Sequence, residues 1–156
     1  MLFRSEAQAP ATVVYLVRHA ERAEDGSSDP VISLAGWDRS RLLARMLADA
    51  SIDRIHTTDY RRTRQTVGPL AETTGLAAEV YNPRDLSGFA ATLRASPGRH
   101  LVVGHSNTTP GLVAELGGDP HGSIDEFEYD RLYVVTIVED VVTTELVRFG
   151  APYLGG

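Results

Sequence analysis

Apolar and polar positions along the chain switch repeatedly between two periods. Thr12-Val13-Val14-Tyr15-Leu16-Val17 is an unbroken β-branched and apolar run, short enough for a strand buried on both faces. A loop rich in Gly, Ser, Asp and Pro follows, from Ala23 to Pro30. Ser33 stands where an N-cap belongs, ahead of a helix expected from Leu34 to Ala50. There Ala35, Leu42, Leu43, Met46, Leu47 and Ala50 recur at helical spacing, with Arg39, Arg41, Arg45 and Asp49 mostly on other faces.

A short strand is expected at Arg54-Ile55-His56-Thr57, then a helix from Asp59, as its cap, to Thr74, with Gly75 ending it. Pro69 falls inside that pattern and is expected to kink or divide it. A short strand near Glu79 to Tyr81, a helix near Leu86 to Ala95 and the strand His100-Leu101-Val102-Val103 come next. Thr109 to Leu116 reads as a helix ended by Gly117-Gly118. Two strand patterns close the chain, Leu132 to Val138 and Thr143 to Phe149, around a turn at Glu139-Asp140.

This order of strands and helices implies an α/β fold, a three-layer sandwich. Its central sheet is mostly parallel, with helices on both faces and a C-terminal antiparallel hairpin. No repeat or linker divides the chain, so residues 1–156 are expected to form one domain, with 1–11 a flexible tail. The turn-rich stretch from Gly117 to Phe127 is expected to be a mobile flap over a site.

Composition narrows the chemistry. The net charge of −6 disfavours nucleic acid and anionic membranes as partners, and no stretch is long and apolar enough to span a bilayer. There is no cysteine, which removes disulfides, thiol catalysis and cysteine-based zinc sites. The absence of an apolar segment before Ala7-Gln8-Ala9 gives no signal peptide as the chain stands. The reading fits a cytoplasmic protein or a trimmed exported one. All fifteen positive side chains are arginine, whose planar fork grips phosphate with paired hydrogen bonds, although lineage bias accounts for most of them.

In open α/β sheets ligands bind beyond the carboxyl ends of the strands. The first strand delivers Arg18-His19 there, and the second delivers Thr57-Thr58 and a helix start bearing Arg61, Arg62 and Arg64. The fourth delivers Gly104-His105-Ser106-Asn107. Two imidazoles, several guanidinium groups and helix N-termini at one sheet edge make an oxyanion site, most naturally for a phosphoryl group. Singly, each has a plainer reading: a surface dipeptide, a solvated helix face, a hydrogen-bonded structural histidine. Their joint arrival carries the argument.

Other chemistries fit less well. Gly104-His105-Ser106-Asn107-Thr108 matches four of the five positions of a G-x-S-x-G elbow, which would make Ser106 an esterase nucleophile. The closing glycine is missing, however, and only His121 follows. His19, His56, His100, His105 and His121 show no H-x-x-x-H pairing, so no metal or other cofactor is expected. A Walker loop is excluded by the lack of any G-K-[ST].

At these residues the chain resembles the histidine phosphatase superfamily, which includes the cofactor-dependent phosphoglycerate mutases and acid phosphatases. Leu16-Val17-Arg18-His19-Ala20-Glu21 is similar to the family's strand followed by R-H-G-E. The segment Thr57 to Thr66 is similar to S-x-L-x-R-A-x-x-T, and Val102 to Asn107 to the second histidine motif. The likeness runs in order from residue 12 to about 118, and the closing hairpin fits the small phosphohistidine-phosphatase-like members. Ala20, Thr63 and Val67 depart from the pattern. Ala20 is tolerable where that position does not need positive φ.

The resemblance implies His19 as the nucleophile, with Arg18, Arg62, His105 and Ser106 binding phosphate. Neighbouring arginines would keep His19 neutral and His105 would be protonated. The expected reaction is metal-independent hydrolysis of phosphomonoesters or protein phosphohistidine through a phosphohistidine on His19. Alternatives are a phosphate- or phosphopeptide-binding module and, below it, a mutase-type phosphotransferase. Asp85 is the first candidate for the proton donor, although Asp before a helix is often an N-cap. Glu21 is the second, and Asp125 or Glu126 the third. Substrates are expected to be phosphorylated small molecules or phosphoproteins, and oligomeric state is not legible.

Overall fold

The computed structural model describes residues 10–155. The expected flexible tail lies mostly outside that range, and Ala11, its last member, already belongs to the first strand. In chain order the elements are β1 (Ala11–Arg18), α1 (Leu34–Leu47), β2 (Arg54–Thr57), α2 (Arg61–Thr74), β3 (Ala78–Val80), α3 (Leu86–Arg94), β4 (Gly98–Gly104), α4 (Thr108–Glu115), β5 (Arg131–Val138) and β6 (Val141–Arg148). The sheet runs β3-β2-β4-β1-β5-β6. β1, β2, β3 and β4 are mutually parallel where they pair, and β5 and β6 are antiparallel to their neighbours.

Alternation along the central strands feeds two cores. Val14, Leu16 and Val102 pack with Leu93, Leu112 and Tyr133 on the side of α3 and α4. Val17, Leu101 and Val103 pack with Leu43, Leu47 and Leu70 on the side of α1 and α2. The chain crosses from β1 over β4 to reach β2, and later returns from β4 past β1 to β5. The order therefore reverses at the β1–β4 pair, which opens a crevice beyond their carboxyl ends. Arg18 pairs with Gly104 there, so the two histidine-bearing loops leave the sheet side by side.

Local chemistry explains most element ends, with several departures from the sequence pattern. The Ser33 hydroxyl accepts from Gly36 N–H, as an N-cap should, and Gly75 ends α2 at φ 75°. Asp59 does not cap α2. It pairs with Arg64 at 2.7 Å, and Asp29 of the preceding loop takes the Arg61 N–H instead. Pro69 does not divide α2, which is continuous from Arg61 to Thr74. α1 stops at Leu47 and buries Arg39, because that guanidinium meets Glu21 and the carbonyl of Ala151. No helix among the described residues is long and apolar enough to cross a membrane.

Two buried histidines carry a pH consequence. His56 and His100 share a hydrogen bond of 2.9 Å under α3. Burial, then His100 and Arg54, push His56 from 6.5 down to about 4. The unfolded chain therefore takes up this proton first as pH falls. Stability is full above about pH 6.5, declines toward pH 4 and levels off below it, a contribution on the order of 3 kcal/mol. Urea unfolding at several pH values is expected to show this decline, and a His56→Leu variant to show a shallower one. Equal slopes in both proteins would remove His56 as a cause.

Candidate active site

His19 follows the last residue of β1, and its N–H donates to Gly104 O at 2.9 Å, tying the ends of β1 and β4 together. A side chain at Gly104 would put its Cβ 2.8 Å from Tyr81 Oη and 2.9 Å from Thr108 Oγ1, so only glycine lets β4 turn this tightly into α4. His19 is buried, and its Nδ1 lies 2.9 Å from Ala20 O. The carbonyl can only accept, so the proton sits on Nδ1 and Nε2 keeps its lone pair. Burial most of all, with smaller contributions from Arg18, Arg62 and His105 and against the upward pull of the Ala20 bond, pushes this imidazole from 6.5 down to about 3. Burial, ahead of the arginines, keeps the ring neutral at pH 7.

Ala20 does not adopt positive φ, which meets the condition for its replacing glycine. Its N–H donates to Thr66 Oγ1. Thr63 and Val67, the other departures, both fit. Val67 is in the core, and the Thr63 hydroxyl donates to the carbonyl of Thr58 or Tyr60 while accepting from Thr58 Oγ1. Thr58 Oγ1 in turn lies 2.9 Å from His105 Nε2.

The two arginines expected to grip phosphate are held in different ways. Arg18 packs its guanidinium 4.1 Å over the Tyr129 ring, and its Nη1 donates to the carbonyls of Asp125, Glu126 and Glu128. Arg62 enters from the first turn of α2, 4.8 Å over the Tyr60 ring. Arg18 Nε and both Nε and Nη1 of Arg62 are buried donors without a hydrogen-bond partner. Asp29 lies 3.8 Å from Arg62 Nη1, an ion-pair contact too long to be a hydrogen bond. Buried guanidinium donors left unpaired are costly, and an oxyanion would satisfy them.

These groups converge on a cavity of ≈ 360 Å³ lined by Arg18, His19, Arg62, His105 and Ser106 together with Arg22, Tyr60, Pro83 and Arg84. The His19 and His105 rings stand 5.6 Å apart, edge to face. The expectation of a protonated His105 does not hold in this structure. Burial, then Arg62 and Arg18, push it down to about 4, so it is neutral at pH 7.

The candidate proton donors are not brought together with this cavity. Asp85 caps α3 by accepting from Gly88 N–H and lines a separate cavity on the α3 side. Glu21 pairs with Arg39 at 2.9 Å. Asp125 accepts from Tyr153 Oη at 2.6 Å, and Glu126 meets Arg22 at 3.5 Å on the exposed rim. Among the described residues no carboxylate lines the cavity. The segment expected to be a flap supplies two of the carbonyls that hold Arg18, those of Asp125 and Glu126, and Glu128 just beyond it supplies the third. Arg84 and Tyr129 carry no signal in the sequence that points to the site, whereas Thr58 and Tyr60 lie inside the arginine motif from Thr57 to Thr66.

Residues 14–84 match the sequence profile of the Histidine phosphatase superfamily (branch 1). The chain is 37% identical over 75 residues to Probable phosphoglycerate mutase GpmB of Serratia proteamaculans, a match covering 44% of this chain and about a third (34%) of that protein. Among solved structures it is similar to the protein histidine phosphatase SixA complexed with tungstate, at 26% identity and TM-score 0.69, over 85% of this chain and 94% of SixA. It also shares the fold of a mycobacterial glucosyl-3-phosphoglycerate phosphatase, at 17% identity and TM-score 0.67, over 90% of this chain and 99% of that one.

Proposed function

We propose that the chain is a member of the histidine phosphatase superfamily, which its profile match over residues 14–84 and its likeness to SixA support, and that it is a metal-independent phosphatase acting through a covalent phosphohistidine on His19. The observation that carries this reading is the neutral, buried His19 with its proton fixed on Nδ1, beside the unpaired donors of Arg18 and Arg62. Nε2 attacks phosphorus, the N–P bond forms as the bond to the leaving group breaks, and that group departs with the electron pair. Arg18, Arg62 and Ser106 hold the non-bridging oxygens, where charge must be stabilised without moving protein dipoles. A phosphoryl dianion beside His105 raises its proton affinity and makes it a further donor. Water then attacks phosphorus, the N–P bond breaks, and neutral His19 is restored as phosphate leaves.

The lining supports a substrate class. A cavity whose described walls hold no carboxylate suits leaving groups that need little protonation, such as a phenolate or the imidazole of a phosphohistidine. Phosphohistidine on a protein and aryl-like phosphomonoesters therefore rank above alkyl phosphates. The GpmB similarity favours a mutase as the second reading. A mutase must retain and reorient its intermediate, however, which an open cavity serves poorly.

Hydrolysis of an aryl phosphate across pH 5 to 8 with EDTA tests both points. Turnover is expected to survive EDTA and to exceed that of an alkyl phosphate by about a hundredfold, the usual value of a general acid. Loss of activity in EDTA would overturn metal independence. Equal rates on both substrates would show that a proton donor reaches the site, and phosphate binding without turnover on any substrate would leave a binding module.

A further inference from the structure

His56 and His100 occupy strand positions where alternation calls for aliphatic side chains. His56 pairs in register with Val102, and His100 with Arg54, so both rings lie on the face of the sheet that Val102 packs toward α3. They are 5% and 2% exposed. Two imidazoles there cost stability relative to valine or leucine unless fully paired.

They are not fully paired. Ser96 O, 2.7 Å from His100 Nε2, can only accept, so His100 carries its proton on Nε2 and a lone pair on Nδ1. His56 Nε2, 2.9 Å from that lone pair, must then donate. With Nε2 donating, His56 Nδ1 is left as the acceptor of this ring; it makes no hydrogen bond among the described residues and is not sealed from solvent, which leaves it open to the adjoining cavity. Both rings line a cavity of ≈ 350 Å³ bounded by α3 and the edge strand β3, which shares no residue with the phosphate cavity. Phe89 forms a flat wall, its ring 5.2 Å from that of His56 and stacked 4.2 Å from that of Tyr81. Glu79 adds an exposed acceptor and Arg54 a cation at the mouth.

We propose that this cavity is a second binding site, for a flat heteroaromatic ligand with an exocyclic amine, such as an adenine nucleoside. The amine donates to His56 Nδ1, the ring lies against Phe89, and the sugar hydroxyls reach Glu79. The volume suits a ligand of this size, and a single placed acceptor in a half-apolar slot is the usual source of orientation.

Adenosine and uridine, which lacks the exocyclic amine, are titrated into the ¹⁵N-labelled protein while the histidine ring nitrogens are followed. Adenosine is expected to move the His56 Nδ1 resonance and to bind at least about tenfold more tightly than uridine. A His56→Leu variant is expected to lose this preference, whereas His19→Ala keeps it. No shift of His56 at about 5 mM adenosine, weaker than any useful site, would overturn the proposal, and so would equal affinity for the two nucleosides. Both readings come from the unaltered chain, so they stand even where His56→Leu fails to fold.

Discussion

Replacing His19 with alanine is expected to abolish turnover of aryl phosphates, by about 10⁴-fold or more, while inorganic phosphate still binds within about tenfold of its original affinity. The two halves have separate causes. His19 has its lone pair fixed on Nε2 by the backbone acceptor at Nδ1, whereas His105 is tied through Nε2 to Thr58 and the remaining lining nitrogens are guanidinium or amide. Phosphate affinity is expected to rest instead on the unpaired guanidinium donors of Arg18 and Arg62, which the substitution leaves in place. An acid-labile phosphoprotein, trapped by quenching during turnover, should form in the original chain and be absent from the variant. Substantial turnover by His19→Ala would reject the histidine as nucleophile. Loss of phosphate binding together with turnover would instead mean that the ring chiefly holds the cavity open. Arg62→Ala should behave in the opposite sense, losing phosphate affinity first.

The quartet Arg18, His19, Arg62 and His105 was legible because each residue sits at a strand end or in the first turn of a helix, where local pattern determines position. The sheet was legible for the same reason: β1 and β4 carry apolar runs, and the order of strands and helices leaves few topologies. What the sequence hid was set by distant partners. Asp59 looks like the cap of α2, yet the N–H goes to Asp29, thirty-two residues before Arg61. Arg39 reads as a solvated position, but Glu21 and Ala151 draw it inward. Glu21 and Asp125 read as acids near the chemistry, and both are consumed in bracing it. Asp85 is the instructive case, since the capping role weighed against it from sequence is the one it performs. His105 misled for a different reason: its proton affinity depends on burial and on two arginines from other elements, none of which its own motif reveals.

Glu128→Ala is expected to destabilise the chain by roughly 3–5 kcal/mol, the cost of stranding a buried cation, and to weaken phosphate binding by about tenfold. The Glu128 side chain is 4% exposed. Its carboxylate meets Arg131 Nε and Arg148 Nη1, each at 2.7 Å, and accepts from Asp125 N–H at 3.0 Å. Burial alone would raise its pKa, but these hydrogen bonds prevail and hold it at about 2. Its stabilising share is thus present above the ordinary carboxylate range and fades as pH falls toward 2, below the window in which the histidines act. Arg131 is itself buried and ties together the carbonyls of Pro120, Gly122 and Ser123, so removing its counter-ion loosens the whole segment. That segment ends in the three carbonyls that grip Arg18 Nη1, and Tyr153 braces it from outside through Asp125 and Asp130. Glu128 therefore helps set the angle of the Arg18 guanidinium, proposed to bind phosphate, through backbone alone. Urea midpoints and phosphate titrations on Glu128→Ala and Glu128→Gln check the link, with the glutamine variant expected to fall between. An unchanged midpoint would rule out the ion network as a stabiliser. Lost stability with phosphate affinity intact would show that Arg18 is held by Tyr129 stacking and the sheet, and not by this strap.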